Sequence, residues 1–400
     1  MKVSLLTGGA DKPYALGLLD ALASRGMMVD FIANDEMSTA SNIKHQTVNV
    51  LNLRGDQSSS ASRVQKSIRV LRYYLRLIKY SISTDAKIFH ILWFNKFVFF
   101  DRTLLNMFYK ALGKKLVFTA HNIDEKQRDG GGSSIHRLSL RILYALVDHI
   151  FVHTTKMKSQ LIQEFGVAEA KVSIIPFGIN NMIPKSSLSK AEARANLGLD
   201  NQGKVLLFFG LIAPYKGLEF LLYALDILRG KDETFKLIIA GQIKDCESYW
   251  KKVEGIIEER KLDKCIIRTI QYIPDSDVEV YFKASDVLIL PYRFIFQSGV
   301  LFLSYSFGLP VIATDVGSMK EDIIDGKTGM ICRPEDPHDL ARVTARYFES
   351  ELYRNLDEHM KDIISYGNSK YSWDEIGKVT EYVYQSFSAK SGEKMVSEIR

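Results

Sequence analysis

Short apolar runs alternate with amphipathic segments along the chain, and this alternation sets narrow limits on its fold. Runs rich in Val, Ile, Leu and Phe predict buried strands, and the segments between them repeat at the helical period. Strands that alternate with helices form parallel sheets covered by helices on both faces. The predicted strands are 3–6, 29–33, 87–92, 116–119, 150–153 and 172–175 in the first half, and 205–209, 237–240, 265–268, 287–290, 311–314 and 330–332 in the second.

A polar stretch over 180–203 separates the two sets of strands. A chain of 400 residues is long enough for two domains, each with its own core. We therefore predict an α/β fold of two Rossmann-like, doubly wound domains, 1–180 and 181–371, which face each other across a cleft. Ligands of such sheets bind at the carboxyl ends of the strands.

Composition excludes several classes of protein. Hydrophobic residues make up 46% of the chain and charged residues 25%, which are ordinary globular values. No apolar run reaches transmembrane length, and the N-terminus reads as a strand rather than as a signal peptide. Cys246, Cys265 and Cys332 are too scattered for a metal site and predict a reduced, cytoplasmic protein. A net charge of +6 is mild, and no nucleic-acid partner is predicted.

Two stretches of the second half predict a diphosphate site. The first, 208–217, reads as a strand, a turn at Gly210 and a helix start, with Lys216 as the candidate cation. Backbone amides at a helix start, next to a cation, bind phosphate. Taken alone, Lys216 would be read as a solvated surface lysine. A second helix start supports the site, because its small residues let a diphosphate approach exposed amides; it comprises Gln297, Ser298, Gly299 and Val300.

Together with further motifs, this spacing resembles the family-4 retaining glycosyltransferases. The motifs are Gly210…Lys216-Gly217, Ala240-Gly241, Tyr272-Ile-Pro274, Ala284-Ser-Asp286, Pro291-Tyr292, Gly308-Leu-Pro-Val-Ile-Ala-Thr314, Gly317…Glu321 and Gly326…Gly329. The resemblance implies the GT-B fold, a UDP- or GDP-sugar donor, a glycan or lipid-linked acceptor, and transfer with retention of configuration. It also implies that the backbone near Ile273 holds the base, and that a C-terminal helix over 372–400 packs back onto the first domain. Neither a cofactor nor a metal is expected.

The chain departs from the family pattern at one important place. Family members usually carry two glutamates, separated by seven residues, where this chain has Ile295 and Leu303. A Gln-Ser-Gly variant here resembles a bacterial polysaccharide or glycolipid branch. The sequence Asp275-Ser-Asp277 superficially matches a metal motif of another glycosyltransferase fold, but we predict that Asp275 or Ser276 caps a helix.

The first half supplies candidates for catalysis and acceptor binding. The strand 116–119 is followed by Ala-His121-Asn122, an ending that resembles the family's active-site loop. A lone histidine here is equally well explained by bonds to the backbone. With the resemblance, we predict that His121 orients the donor sugar and stabilises charge. Residues 129–134 predict a mobile flap over the acceptor. Weaker candidates for the acceptor side of the cleft are Gly8, Gly9, His90, Asn95 and Asn122, and packing explains His90 at least as well.

The stretch 57–84 contains no acidic residue and reads as a basic amphipathic helix. Such a helix fits an anionic membrane surface, which would place the protein peripherally on the inner face of a membrane. The alternative is a domain helix whose charges are merely solvated. In both cases the apolar stripe is predicted to pack on the sheet. The stripe is Val64, Ile68, Leu71, Leu75 and Ile78, and the cations beside it are Arg69, Arg72, Arg76 and Lys79.

These observations predict a nucleotide-sugar-dependent retaining hexosyltransferase that builds a polysaccharide or glycolipid. The missing glutamates leave open a catalytically weak protein of the same fold that binds a nucleotide sugar or glycan. A nucleotide-sugar epimerase can share the architecture, but it would not need a membrane-facing helix.

Overall fold

The computed structural model describes residues 1–9, 11–39, 45–57, 61–124, 133–243 and 246–387. The chain divides into two compact units. Among the described residues, the first unit contains 1–124, 133–176 and 373–387, and the second contains 177–372. The residues 129–132 of the predicted flap and the last residues of the predicted C-terminal helix, 388–400, lie outside the described part of the chain.

The first unit is built on a seven-stranded parallel sheet of order β3-β2-β1-β4-β5-β6-β7. The strand order reverses next to β1, as in doubly wound folds. The central strands are buried on both faces, which explains their continuous apolar runs. The strands are β1 Lys2–Leu6, β2 Met28–Ala33, β3 Val48–Asn52, β4 Ile88–Ile91, β5 Lys115–Thr119, β6 His149–Val152 and β7 Val172–Ile174.

Helices connect these parallel strands. Several begin at a residue whose side chain accepts a hydrogen bond from the first turn, including Asp11, Ser62 and Thr154. The helices of this unit before the second unit begins are α1 Lys12–Ser24, α2 Asp35–Ser38, α3 Arg63–Ser83, α4 Val98–Phe100, α5 Asn106–Ala111, α6 Ser134–Leu146 and α7 Thr155–Phe165, with a π-helical turn at Asp101–Leu105.

The second unit carries a six-stranded parallel sheet of order β10-β9-β8-β11-β12-β13. Its strand order reverses next to β8. The strands are β8 Lys204–Phe209, β9 Phe235–Ala240, β10 Ile266–Thr269, β11 Val287–Leu290, β12 Val311–Thr314 and β13 Gly329–Cys332. The helices are α8 Lys190–Asn196, α9 Leu218–Arg229, α10 Glu247–Glu259, α11 Asp275–Ala284, α12 Gly299–Ser306, α13 Met319–Asp322, α14 Pro337–Glu349, α15 Glu351–Arg354 and α16 Leu356–Lys370.

The last described helix, α17 (Trp373–Ser386), belongs to the first unit and packs on α1. The indole of Trp373 covers Gly17, where an added Cβ would lie 2.2 Å from the ring. Tyr384 is fully buried, and its hydroxyl bonds to Nδ1 of His90. The glycine is thus required by the close approach of the two helices. Among the described residues, no helix combines the length and the apolar character needed to cross a membrane.

Candidate active site

The turn after β8 brings Lys216 to the carboxyl end of the second sheet. Gly210 has φ +100°, and a Cβ added to it would lie 3.4 Å from the side chain of Val300. Gly217 has φ +66°, and its added Cβ would lie 2.1 Å from the carbonyl oxygen of Pro291. Only glycine tolerates both constraints. The turn is therefore fixed in a shape that sets Lys216 just before α9.

The ammonium group of Lys216 is buried, with 5% of the residue exposed. Its Nζ donates to the hydroxyl of Tyr292 at 2.7 Å and lies 4.4 Å from the centre of that ring. The same hydroxyl is 3.2 Å from Oγ of Ser298, and burial raises the pKa of Tyr292. This chain of polar contacts ties the lysine to the residue that immediately precedes α12.

Helix α12 starts at Gly299 without a side-chain cap. The first amides of a helix have no partner within it, so an uncapped start presents donors to a ligand. Of the six residues predicted to hold a diphosphate, the structure groups five around this start: Gly210, Lys216, Ser298, Gly299 and Val300.

The side chain of Gln297 points to Asp322, a residue that no sequence motif marks as part of the site. Nε2 of Gln297 donates to the carboxylate of Asp322 at 3.4 Å. The carboxylate also accepts from Ser318 at 2.8 Å and Tyr371 at 2.9 Å, and burial raises its pKa. The amide nitrogen of Gln297 is therefore engaged within the second unit, and Asp322 fixes the loop that leads into α12.

The segment between β10 and α11 carries the predicted base contact. Ile273 is buried, with 8% exposed. Helix α11 begins at Asp275 and has no side-chain cap, so the predicted capping by Asp275 or Ser276 is wrong. Instead, Asp275 and Asp277 stand in the first turn, where their charges complement the helix dipole. Within the described parts of the chain, no group of three or more His, Cys, Asp or Glu residues is arranged to hold a metal.

In the first unit, His121 follows β5 and lies within an aromatic cluster. Its imidazole stacks on Trp93 with ring centroids 4.1 Å apart, and Tyr14 meets it edge-on at 4.7 Å. The Nδ1 atom of His121 is 3.0 Å from Nε2 of His153, and Nδ1 of His153 is 3.2 Å from the carbonyl oxygen of Ile175.

These contacts fix the protonation of both rings. A carbonyl oxygen only accepts, so Nδ1 of His153 carries a proton. Burial lowers the pKa of His153 to about 4, which leaves its Nε2 as an acceptor. Nδ1 of His121 must then be the donor. Because burial also holds the pKa of His121 well below its usual value, the ring is neutral and its Nε2 carries a lone pair.

The loop after β1 approaches this cluster closely. An added Cβ would lie 2.6 Å from the carbonyl oxygen of Trp93 at Gly8, and 2.8 Å from Nε of Arg54 at Gly9. Both glycines have positive φ, at +59° and +76°. Gly8 thus lies against the backbone of Trp93, the residue whose ring covers His121. Asn122, which follows His121 in the chain, is half-buried.

Two predicted acceptor residues have other tasks. His90 is fully buried, with Nε2 2.7 Å from Oγ1 of Thr119 and Nδ1 bonded to Tyr384. Both ring nitrogens are satisfied inside the unit, so the prediction that His90 contacts the acceptor is wrong and the packing alternative holds. Asn95 accepts hydrogen bonds from Arg54 at 2.7 Å and Tyr73 at 2.8 Å, and so holds an arginine in place.

Helix α3 buries a different face from the predicted one. Its buried residues are Tyr73, Tyr74, Leu77 and Ser81. The prediction that the apolar stripe packs on the sheet is therefore wrong, and most of the stripe is exposed: Val64 at 68%, Ile68 at 48%, Leu71 at 62% and Leu75 at 60%. Arg72, Arg76 and Lys79 are exposed beside it. Arg69 leaves this strip, because it turns to Asp56, with Nη1 2.7 Å from the carbonyl oxygen and 3.3 Å from the carboxylate.

Comparison with known proteins identifies both units. Residues 12–181 match the model of glycosyltransferase family 4, and residues 189–369 match that of glycosyl transferases group 1. Together the two matches extend over both units, whose Rossmann-like sheets have the architecture of the GT-B fold. The D-inositol 3-phosphate glycosyltransferase of Streptosporangium roseum is 26% identical over 218 residues, which are 52% of this chain and 49% of that protein. The chain thus spans about half the length of this curated relative.

Solved structures share the fold over nearly the whole chain. Sucrose-phosphate synthase from Thermosynechococcus elongatus has a TM-score of 0.74 at 19% identity, covering 98% of this chain and 100% of that one. Anabaena HepE, solved in complex with UDP-glucose, has a TM-score of 0.73 at 15% identity, covering 96% and 100%.

Proposed function

We propose that the protein transfers a sugar from a nucleotide diphosphate sugar to a glycan or lipid-linked acceptor, with retention of configuration. The observation that carries this proposal is the buried ammonium of Lys216, linked through Tyr292 to the uncapped start of α12. A cation and exposed amides offset the charge that develops on a departing diphosphate. The domain matches and the UDP-glucose complex of HepE support a nucleotide-sugar donor.

In this proposal the second unit holds the donor. Gly210, Lys216 and the amides from Ser298 to Val300 take the diphosphate, and the backbone near Ile273 takes the base. Gln297 is bonded to Asp322 and lies next to the same helix start, where it completes the predicted diphosphate site. The leaving group needs no metal here, because the ammonium and the helix start supply the positive charge.

The first unit supplies His121 and the acceptor side. Since Nε2 of the neutral imidazole carries a lone pair, His121 accepts a hydrogen bond from a sugar hydroxyl rather than donating one to a phosphate oxygen. Its task is to orient the donor sugar. Gly8 lies against Trp93, Gly9 lies against Arg54, and Asn122 follows His121 in the chain; in this proposal they form part of the acceptor side.

The exposed stripe of α3 supports binding of the protein to an anionic membrane. Apolar side chains in a continuous outward row, next to Arg72, Arg76 and Lys79, match an interfacial helix. We place the protein on the inner face of a membrane, where polysaccharide or glycolipid acceptors are anchored.

A binding protein without turnover is the second candidate. Ile295 and Leu303 occupy the places of the family's glutamates, and Leu303 is buried with 7% exposed. Hydrolysis of UDP-, GDP- and ADP-sugars should be measured with and without membrane extract as acceptor, after a thermal-shift screen that identifies the stabilising nucleotide. Turnover that persists in excess chelator supports the proposed transferase. A stabilising nucleotide sugar that is never consumed supports the binding protein, and an absolute manganese or magnesium requirement would contradict the metal-free site.

A further inference from the structure

A basic cavity of about 190 Å³ lies in the first unit, on the opposite side of α3 from the exposed stripe. We infer that this cavity binds an anionic group of the acceptor, of the phosphate or diphosphate class. That the anion belongs to an acceptor rests on the proposed function, whereas the anion site itself does not. The residues that line it and carry the argument are Arg54, Gln57, Lys66, Arg69, Tyr73 and Lys96.

The cavity carries an excess of positive charge. Four cations line it, and the carboxylate of Asp56 meets one of them, Arg69, from the exposed side. Asp101, whose carboxylate accepts hydrogen bonds from Tyr74 and from the backbone amide of Asn95, is a second carboxylate that acts on Arg54, so among the described residues two carboxylates stand against the four cations. The lining of the cavity therefore has a net positive charge, and the volume of the cavity suits a phosphate or a diphosphate rather than a whole sugar nucleotide.

Arg54 is held ready for an anion. Its Nη1 donates to Asn95, and its guanidinium carbon lies 4.7 Å from the centre of the Tyr73 ring. The hydroxyl of Tyr73 donates to the same oxygen of Asn95. A guanidinium fixed by stacking and by one hydrogen bond loses little entropy when it binds an oxyanion.

The cavity is joined to His121 by a short series of contacts. Arg54 abuts Gly9, the neighbouring Gly8 abuts Trp93, and Trp93 stacks on His121. An acceptor whose anionic group sits on Arg54 would thus extend along the loop after β1 toward the imidazole. In this arrangement Arg54, Lys66 and Lys96 bind the anionic group of the acceptor, a function separate from that of the donor site.

The test uses the full chain with inorganic pyrophosphate as the probe and hydrogen–deuterium exchange as the readout. Pyrophosphate should protect peptides over 51–57 and 61–74. In the variant Lys66→Gln/Lys96→Gln this protection should need about a hundredfold more pyrophosphate, since each charged hydrogen bond lost costs about tenfold. The control Lys87→Gln/Lys156→Gln removes two exposed lysines of the same unit and should behave as wild type. The single variant Lys66→Glu repeats the test with one charge reversed.

Protection around 210–217 and 297–301 reports the donor site separately. Pyrophosphate that protects only those peptides, or that protects 51–74 equally in both double variants, would overturn the inference and leave the proposed function standing. Protection of 51–74 in a protein that never turns over a sugar nucleotide would support the anion site and refute the transferase. A second arm measures binding to phosphatidylglycerol vesicles. If the Lys66→Gln/Lys96→Gln variant loses vesicle binding as well as pyrophosphate binding, the anion is a lipid headgroup. If it loses pyrophosphate binding alone, the anion belongs to a soluble acceptor.

Discussion

The imidazole of His121 lies flat against the indole of Trp93, with planes only 3° from parallel. Stacking on one side and the bond to His153 at Nδ1 leave the ring little freedom to turn. A side chain fixed in this way can orient a substrate group without an entropic cost at each turnover.

Replacement of His121 by Ala is expected to lower turnover by about 10²-fold and to leave the affinity for a nucleotide diphosphate nearly unchanged. The reason is that, in the proposed function, the second unit holds the diphosphate, whereas the imidazole acts on the sugar. Turnover and nucleotide binding should be measured on the same preparation.

His149→Asn serves as the control for this variant, because His149 is also buried in the first sheet and its imidazole, within the described part of the chain, bonds to Ser173 and not to His121. It should retain full turnover. Equal activity of wild type and His121→Ala would return His121 to a structural role.

The lysine of the second unit gives an independent prediction. Lys216→Ala should weaken binding of a nucleoside diphosphate by roughly tenfold to hundredfold, because a charge-assisted contact is worth about 1.5–3 kcal/mol. Binding of the corresponding nucleoside should hardly change. Calorimetry with both ligands measures the difference.

Tyr292→Phe is the matched control, because it keeps the ring over which Lys216 lies and removes only the bridging hydroxyl. Its loss for the diphosphate should be smaller than that of Lys216→Ala. If Lys216→Ala loses nucleoside and nucleoside diphosphate equally, the lysine does not bind phosphate.

Both sheets could be anticipated from the apolar runs, with one exception. Strand β3 was missed because Val48–Asn52 alternates valine and leucine with asparagine, and as an edge strand it stays partly exposed. The face of α3 was also misjudged. Periodicity defines the stripe of Val64 to Leu75, but the buried face includes two tyrosines, Tyr73 and Tyr74, beside Leu77 and Ser81. The hydroxyls of the tyrosines bond to Asn95 and Asp101, and such pairing cannot be read from the sequence.

The candidate site shows the same limit. The Gly turns and Lys216 were recognisable because the backbone itself demands glycine at those places. The partner of Lys216 is Tyr292, which lies 76 positions away. The histidine pair likewise depends on strands β5 and β6 being neighbours. Local sequence can mark the ends of strands, but which polar groups meet there is decided by the sheet order.

Buried histidines predict a pH dependence of stability. Burial lowers the pKa of His149 to about 4, whereas an imidazole of the unfolded chain titrates near 6.5. Between these values the unfolded state binds a proton that the folded state does not. The contribution of His149 is therefore fully present above pH ~6.5 and declines by up to about 1.4 kcal/mol per pH unit as the pH falls toward 4.

The raised pKa of Asp101 has the opposite effect between about pH 6 and 4, so the comparison is made between wild type and His149→Asn. The free energy of unfolding of the first unit should be measured in urea from pH 7 to 4.5. Wild type should lose stability relative to the variant as the pH falls. A difference that stays constant with pH would mean that His149 binds its proton equally well in the folded and the unfolded protein, so that burial does not lower its pKa.

The outward stripe of α3 leads to the last prediction. Arg72, Arg76 and Lys79 are exposed next to Leu71 and Leu75, and each cation near an anionic surface contributes about 1 kcal/mol. Changing the three cations to Gln should therefore weaken binding to phosphatidylglycerol vesicles about a hundredfold, and the effect should shrink as salt rises.

The variant Leu71→Ser/Leu75→Ser tests the apolar half of the same surface. Both leucines are more than half exposed, so the fold should tolerate the change, while vesicle binding should fall at every salt concentration. A triple Gln variant at Lys87, Lys156 and Lys231 keeps the same net charge as the cation variant and should still co-sediment with vesicles. Activity on a soluble acceptor should be equal in all of these proteins. The alternative outcome is that sedimentation shows the wild type to be a dimer, which the serine variant separates without any change in vesicle binding. The stripe would then join two copies of the chain, and the acceptor would not be reached through a membrane.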